Sequence, residues 1–420
     1  MKNKFYQLRH FTLIFLAAVV FQSTSSQAAG RCVDLFNTST QMVINSDPVQ
    51  QLILWEQTSN QTRWHKPTEK VQLAYTEIHL DDVVVRAETY TPEIIHSFFK
   101  TGNRVLWLKH PLNKSREVPY LNDHEHGHKE AFFSASRSMF TKIEGSLFSF
   151  KLPTDHPHPN ANAQREKADL KNDSVISMRR SKHIREFDAV HKKADNIFVL
   201  TEVISIASKQ GNAFSVRDLR PLQDGNYYLP AFSIPYAGRE IAEMNKADFN
   251  EFWKENYGAL LGKAKAQLLL RYGLQMKTPN AQNWLIQLDK KMIPTGKIYM
   301  RDVADSNYVE FIADHNGSFE QIQADRMSNF TTAKRLFPNW ENSAWQMSEG
   351  LVSEKVLQSW GIAHDTAYIS AIQQTLKLDT DFKTIEQLEL FLKSSTGIDS
   401  LYYLKSSRGL DATVSISDAA

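Results

Sequence analysis

"TPNAQNWLIQLDKKMIPTGKIYMRDVADSNYV", residues 278–309, is the stretch on which the fold turns. Asn280-Ala281-Gln282-Asn283 opens it, NWLIQLD follows as a strand, KKMIPTG as a turn, and KIYMRDV as a second strand carrying Arg301-Asp302. The pattern predicts a β-hairpin with a carboxamide at one end and a carboxylate at the other. Hard oxygen donors so placed suit a Mg²⁺ that also binds a nucleotide's phosphates, with Asn283 and Asp302 as ligands and Asp305 as a further candidate. The same residue types also serve turns and caps, so the pair by itself leaves both readings open.

Working outward, "KADFNEFWKENYGALLGKAKAQLLLRYGL" (246–274) sets Phe249, Phe252, Trp253, Leu260, Leu261, Leu268 and Leu269 at helical spacings and stops at Gly273. "PEIIHSFFKTG" (92–102) predicts a helix with a Pro start and a Gly stop. "AFFSASRSMFTKIEGSLFSFKL" (131–152) predicts two strands joined at Glu144-Gly145. The polar, Pro- and Asn-rich residues 153–175 predict a loop, residues 183–203 a helix running into a strand, and the C-terminal third further helices. The fold class expected is α+β with a mixed sheet.

Tyr272-Gly273, Gln282-Asn283 and Arg301-Asp302 succeed one another as helix end, strand start and strand end. In that order they resemble the hallmark segment of the aerobactin-type NRPS-independent siderophore synthetases: a Tyr-Gly helix end, Glu-Ala-His-x-Gln-Asn, an apolar strand, then Arg-Asp or Lys-Asp. "FKLPTD", with Lys151, is similar to that family's Lys-Leu-Ser strand. "ISMRRS", with Ser177, Arg179 and Arg180, is similar to its Thr-Ser-x-x-Arg phosphate-gripping segment. The resemblance covers residues 120–310 and is carried by these motifs; Asn280 stands where the family has His, and Lys277 near its Glu.

The resemblance implies a two-lobe fold with a kinase-like ATP-binding core and a helical C-terminal part, the lobes falling at 29–200 and 201–420. It implies ATP and Mg²⁺ as cofactors and a small-molecule carboxylate that is adenylated before an amine or alcohol attacks it. On the implied roles, Lys151 contacts the α- and β-phosphates, with Ser177, Asn280 and Gln282 also against the nucleotide. Asn283, Asp302 and Asp305 hold Mg²⁺, and Arg179 or Arg180 stabilises charge on the transferring group. His128 and Lys129 contact the anionic substrate.

A rival site lies in "NDHEHGHKEAFF": on a strand, His124, His126 and His128 point one way and, with Glu130, suit Zn²⁺. An exposed histidine-rich loop accounts for the same residues, as it does for His156 and His158. Arg217, Arg220 and Arg239 either face a cleft or pair on the surface with Asp218, Asp224 and Glu240; the sequence favours surface pairing.

The chain has 420 residues, 42% of them apolar and 23% charged, enough for two lobes with a sizeable core. Lys2, Lys4 and Arg9, the apolar run 11–21, and Ser26-Gln27-Ala28 together predict a signal peptide over 1–28 and a protein exported to the periplasm or beyond. Without those three cations the net charge of +2 falls to −1, which gives no electrostatic reason to expect nucleic-acid binding. A single cysteine, Cys32, excludes an intramolecular disulfide framework. No membrane span is expected after leader cleavage. Three functions are therefore expected in descending order. The first is an ATP/Mg²⁺-dependent ligase or phosphoryl or adenylyl transferase. The second is a non-catalytic binding protein for a polycarboxylate or siderophore, and the third a hydrolase built on the His124 cluster.

Overall fold

The computed structural model describes residues 44–60, 70–111, 127–134, 138–153, 170–190, 195–209, 212–276, 280–308, 340 and 352–394. The leader at 1–28, His124, His126, His156, His158 and Lys277 lie outside the described residues.

Nine strands form the larger sheet: β1 (Lys70–His79), β2 (Val83–Ala87), β3 (Lys100–Thr101), β4 (Arg104–Leu108), β5 (Gly127–Phe133), β6 (Ser138–Ile143), β7 (Ser146–Lys151), β9 (Glu202–Ser208) and β10 (Ala213–Asp218). Their order is β2-β9-β10-β7-β6-β5-β1-β4-β3. The stretch 131–152 thus holds the end of β5 as well as the β6–β7 hairpin, three strands where two were expected. Glu144 (φ 48°) and Gly145 (φ 82°) both turn left-handed in that hairpin, the backbone that a two-residue connection needs.

Alternation gives this sheet one apolar face and a second that is polar around Lys151 and apolar at Phe140 and Leu147, which pack with Val49, Leu52 and Ile53. Phe150, Val216 and Ile204 share a face and belong to a core with Ile95 and Phe99 of the short helix α2 (Glu93–Phe99), which follows α1 (Pro48–Asn60). Lys151, Ser215 and Ser205 share the opposite face. Helix α3 (Leu170–Val190) lies over it. It begins thirteen residues before the helix expected at 183, inside the segment read as a loop. The reason is what it covers: α3 buries Ser174, Ser177, Arg180, Ser181 and His183 as well as Ile176, Met178 and Ile184, so polar residues interrupt the apolar period that announces a helix.

A four-stranded sheet, β11 (Tyr227–Pro230), β13 (Trp284–Leu288), β14 (Pro294–Met300) and β8 (Ile197–Val199), holds the predicted hairpin. Trp284 pairs with Met300 and Leu288 with Pro294, so the turn is shorter than KKMIPTG. The Asp289 carboxylate caps it by accepting from the amides of Lys291 (2.8 Å) and Ile293 (2.9 Å). A two-stranded pair joins β12 (Leu274–Met276) to β15 (Ser306–Tyr308).

Helix α4 (Ile234–Met244) and the expected helix after Lys246 pack on this side. The latter is α5 (Phe249–Trp253), capped by Asp248, then a π turn at Lys254–Ala259, then α6 (Leu260–Tyr272), which ends on Gly273 at φ 64°. Helix α7 (Glu354–Leu376) crosses it so closely that a Cβ on Gly258 would meet the Trp360 carbonyl oxygen at 2.7 Å and one on Gly262 that of His364 at 2.1 Å. Helix α8 (Ile385–Lys393) starts with a Thr384/Gln387 capping box. No described helix is long and apolar enough to cross a membrane.

Candidate functional site

The topology brings the hairpin end to the larger sheet. β8 runs parallel to β14, with Val199 beside Met300, and three residues later the chain enters β9 at Glu202. The residue that follows β14 by two, Asp302, therefore arrives beside the start of β9 and its partner β10. Asp302 takes a left-handed backbone (φ 68°, ψ 56°) at the start of a single 3₁₀ turn, Val303–Asp305. A short polar side chain tolerates that conformation better than most, and such strain concentrates at functional sites.

Lys151, the last residue of β7, reaches the Asp302 carboxylate with Nζ 3.0 Å from Oδ1 and 3.2 Å from Oδ2. Arg217 of β10 stands 3.7 Å from Asp302 and bonds Glu202 through Nε at 3.1 Å and Nη2 at 2.5 Å. Ser181 Oγ of α3 donates to Glu202 Oε2 at 3.1 Å and accepts from its amide at 3.0 Å. Arg180 of the same helix donates to the carbonyls of Val303 (3.3 Å) and Ala304 (2.6 Å), holding the turn that carries Asp302. A small cavity remains, lined by Lys151, Ser174, Ser177, Glu202, Ser215 and Asp302 among others. Ser177 Oγ is buried with no hydrogen-bond partner.

Behind this centre a second pair, Arg301–Glu56, ties the hairpin to α1, Glu56 being fully buried. Arg301 also donates through Nε to the Gln282 carbonyl at 2.9 Å, and its amide to that of Asn283 at 2.9 Å. Burial pushes the Glu56 carboxyl pKa up against the opposing pull of Arg301 and Arg217. For Arg217, burial would lower the pKa, but Glu202 and Asp302 raise it overall. Glu56, Glu202 and Asp302 thus face Lys151, Arg217 and Arg301, with the buried Arg180 on the adjoining turn. Such buried groups are costly singly and tolerable only as a paired set.

The structure brings Lys151, Ser177 and Asp302 together at one cavity. Asn283 ends the 3₁₀ turn before β13, beside Arg301; it is 3% exposed and does not line the cavity. Asn280 and Gln282 flank it, and Asp305 donates its amide to the Asp302 carbonyl at 3.0 Å. Arg180, read as a phosphoryl contact, instead holds backbone carbonyls. Lys129 sits over the rings of Phe98 (5.1 Å) and Tyr75 (5.5 Å) on the apolar face, away from Lys151, because its register neighbours alternate with those of the polar face. His128 is on β5, outside the cavity lining. No group of three metal-ligating His, Cys, Asp or Glu side chains occurs among the described residues.

Arg220 pairs with Asp218 at 2.8 Å, as expected, and Arg239 lies over the Phe249 ring. Arg217 is buried in the centre, which corrects its expected place on the surface. Glu202 was missed altogether. Its sequence signal is a lone acid in an otherwise apolar strand, TEVISIA, where an unpaired carboxylate is expensive and so implies a buried partner.

No protein-family model matches the sequence, and no curated protein is similar to it. Solved structures do match in fold. One is the ATP-bound aerobactin synthetase IucA of Klebsiella pneumoniae, with a TM-score of 0.53 at 14% identity over 73% of this chain and 63% of that one. Aerobactin synthetase IucC of the same organism gives 0.53 at 10% identity over 87% and 79%. The petrobactin biosynthesis protein AsbB of Bacillus anthracis gives 0.52 at 12% identity over 80% and 63%. The chain therefore spans less than two thirds of the length of two of these proteins, and it has their fold.

Proposed function

We propose that this bearer of the siderophore-synthetase fold binds a nucleoside triphosphate with Mg²⁺ at the Lys151–Asp302 centre and acts as an ATP-dependent ligase or group transferase on a small carboxylate. The observation that carries the reading is the convergence of Lys151, Asp302 and the unpartnered Ser177 hydroxyl on one cavity. The residues fit the group. Mg²⁺ takes one or two protein oxygens and completes its shell with phosphates and water, and at this cavity the Asp302 carboxylate would supply the protein oxygen. Bound there, the metal would screen the phosphates and polarise the bond to be broken.

The chain's own groups divide the remaining work. Lys151, whose Nζ lies against the Asp302 carboxylate, would present its ammonium to phosphate oxygens. Ser177 Oγ donates to another. Arg217, fixed by Glu202, keeps a positive charge behind Asp302 throughout, and Arg180 and Ser181 hold the turn and Glu202 in place. These are preorganised charges that need little movement when the reacting group arrives. Because Lys151 and Arg217 already contact Asp302 and Arg180 adds a further cation on the same turn, a bare divalent cation meets like charge, whereas a metal–triphosphate complex carries its own counter-charge. The centre is thus suited to the complex and not to the metal alone.

A second reading is a binding protein that holds a polycarboxylate or siderophore on the same scaffold. Asn280 in place of the imidazole favours it, as does the expected export, which leaves the chain where ATP is scarce. Titration of ATP with Mg²⁺ decides between them: Mg²⁺-dependent micromolar binding supports the ligase, and citrate binding without nucleotide binding supports the carrier.

A further inference from the structure

The polar face of the larger sheet continues past the cavity. Register leads from Lys151 to Ser215, from Ser215 to Ser205, and from Ser205 to Arg86 on the edge strand β2. Residues paired across strands project to the same side. Lys151 and Ser215 line the cavity beneath α3, so Ser205 and Arg86 lie on that side too. Three strand spacings separate the Lys151 and Arg86 backbones, about 14 Å, which makes the far end of this row a separate contact from the Lys151–Asp302 pair.

The row carries donors with nothing to bond. Ser177 Oγ, Ser205 Oγ and Arg86 Nη1 are all buried without a hydrogen-bond partner. Ser177 is 3% exposed and Ser205 fully buried. Each such group carries an uncompensated desolvation cost, larger when charged. The charged neighbour acting on Arg86 is Arg179 of α3, another cation, and burial together with Arg179 lowers the Arg86 pKa. A buried, unpartnered guanidinium N–H on the edge strand, in register with the orphan Ser205 hydroxyl and within the field of Arg179, forms an arrangement that an oxyanion would complete. It would accept from both arginines, with the short charge-assisted bonds that guanidinium forks favour.

We propose that Arg86, Arg179 and Ser205 form an oxyanion subsite at the far end of the polar row from Lys151, taking a phosphate or carboxylate group. The inference rests on the nucleotide reading only for the source of the anion. In a ligase the group is either the end of the polyphosphate or the carboxylate of the acyl substrate.

The test is calorimetric titration of two probes, inorganic tripolyphosphate with Mg²⁺ and citrate, into wild type, Arg86→Gln and Ser205→Ala, with MgATP titrated in parallel. Arg86→Gln is expected to weaken one probe at least tenfold. Loss of tripolyphosphate assigns the subsite to phosphate, and loss of citrate assigns it to the carboxylate. Thermal unfolding separates binding from structure. Removing a cation that has one buried, unpartnered N–H and another cation acting on it leaves Tm unchanged or raises it, so a fall in Tm would mean that Arg86 is structural and would overturn the proposal. Unchanged affinity for both probes in a folded Arg86→Gln protein, or no binding of either by wild type, would also overturn it. If MgATP fails to bind while an Arg86-dependent anion site persists, the nucleotide reading falls and this one stands.

Discussion

Asp302 combines a left-handed backbone with a carboxylate pinned between Lys151 and Arg217. Asparagine keeps the tolerance for that backbone and removes the charge. Asp302→Asn should therefore unfold within a few degrees of wild type while losing Mg²⁺-dependent nucleotide binding, measured by thermal melts beside calorimetry. Arg217 offers the opposite test. Truncating it leaves Glu202 buried and uncompensated, so Arg217→Ala should lose about 3–5 kcal/mol in denaturant unfolding. Arg217→Met paired with Glu202→Gln should recover much of that. Lys151, Ser177 and Asp302 were legible in the sequence because each sits in a recognisable local pattern. Arg217 and Glu202 were not, because only the irregular β9–β10 register, which shifts between Val216 and Arg217, brings them together. Next to Asp218 and Arg220, Arg217 reads as one more surface charge.

At the scale of elements, the α6–α7 crossing depends on Gly258 and Gly262 lying against the Trp360 and His364 backbone. Gly262→Ala forces a methyl into a carbonyl, and overpacking of this kind costs about 1–3 kcal/mol. A drop in Tm with retained nucleotide binding is the expected result, since the crossing lies apart from Lys151. Next to it, fully buried His364 has its pKa pushed down to about 4 by burial and by Lys265, whose own pKa burial lowers to about 7. A folded value below the unfolded one means stability is complete above pH 6.5 and is lost as pH falls toward 4, by roughly 3 kcal/mol for His364. Denaturant midpoints between pH 7 and 4.5 should fall for wild type and fall less for His364→Asn. The helical stretch with an apolar stripe after Lys246, which holds α5 and α6, was readable from period alone. The N-terminal half of α3 was not, because Ser174, Ser177 and Arg180 interleave with Ile176 and Met178 among its buried residues and break the apolar period.

For the whole molecule, the motif order from Lys151 to Asp302 anticipated the siderophore-synthetase fold, and the matches to IucA, IucC and AsbB share that architecture at 10–14% identity. Likeness so distant fixes the path of the chain and leaves the chemistry to the residues at the centre. Export remains part of the proposal: N-terminal sequencing of protein recovered from the periplasm or medium should begin after Ala28, and an intact Met1 there would contradict it. The most direct test of the central claim is calorimetric titration of ATP, with and without Mg²⁺, into the mature protein and its Asp302→Asn variant. The account predicts micromolar binding by wild type that requires Mg²⁺, no response to Mg²⁺ alone, and loss in the variant. Folded wild-type protein that ignores millimolar MgATP, or a variant that binds it equally well, would contradict the account.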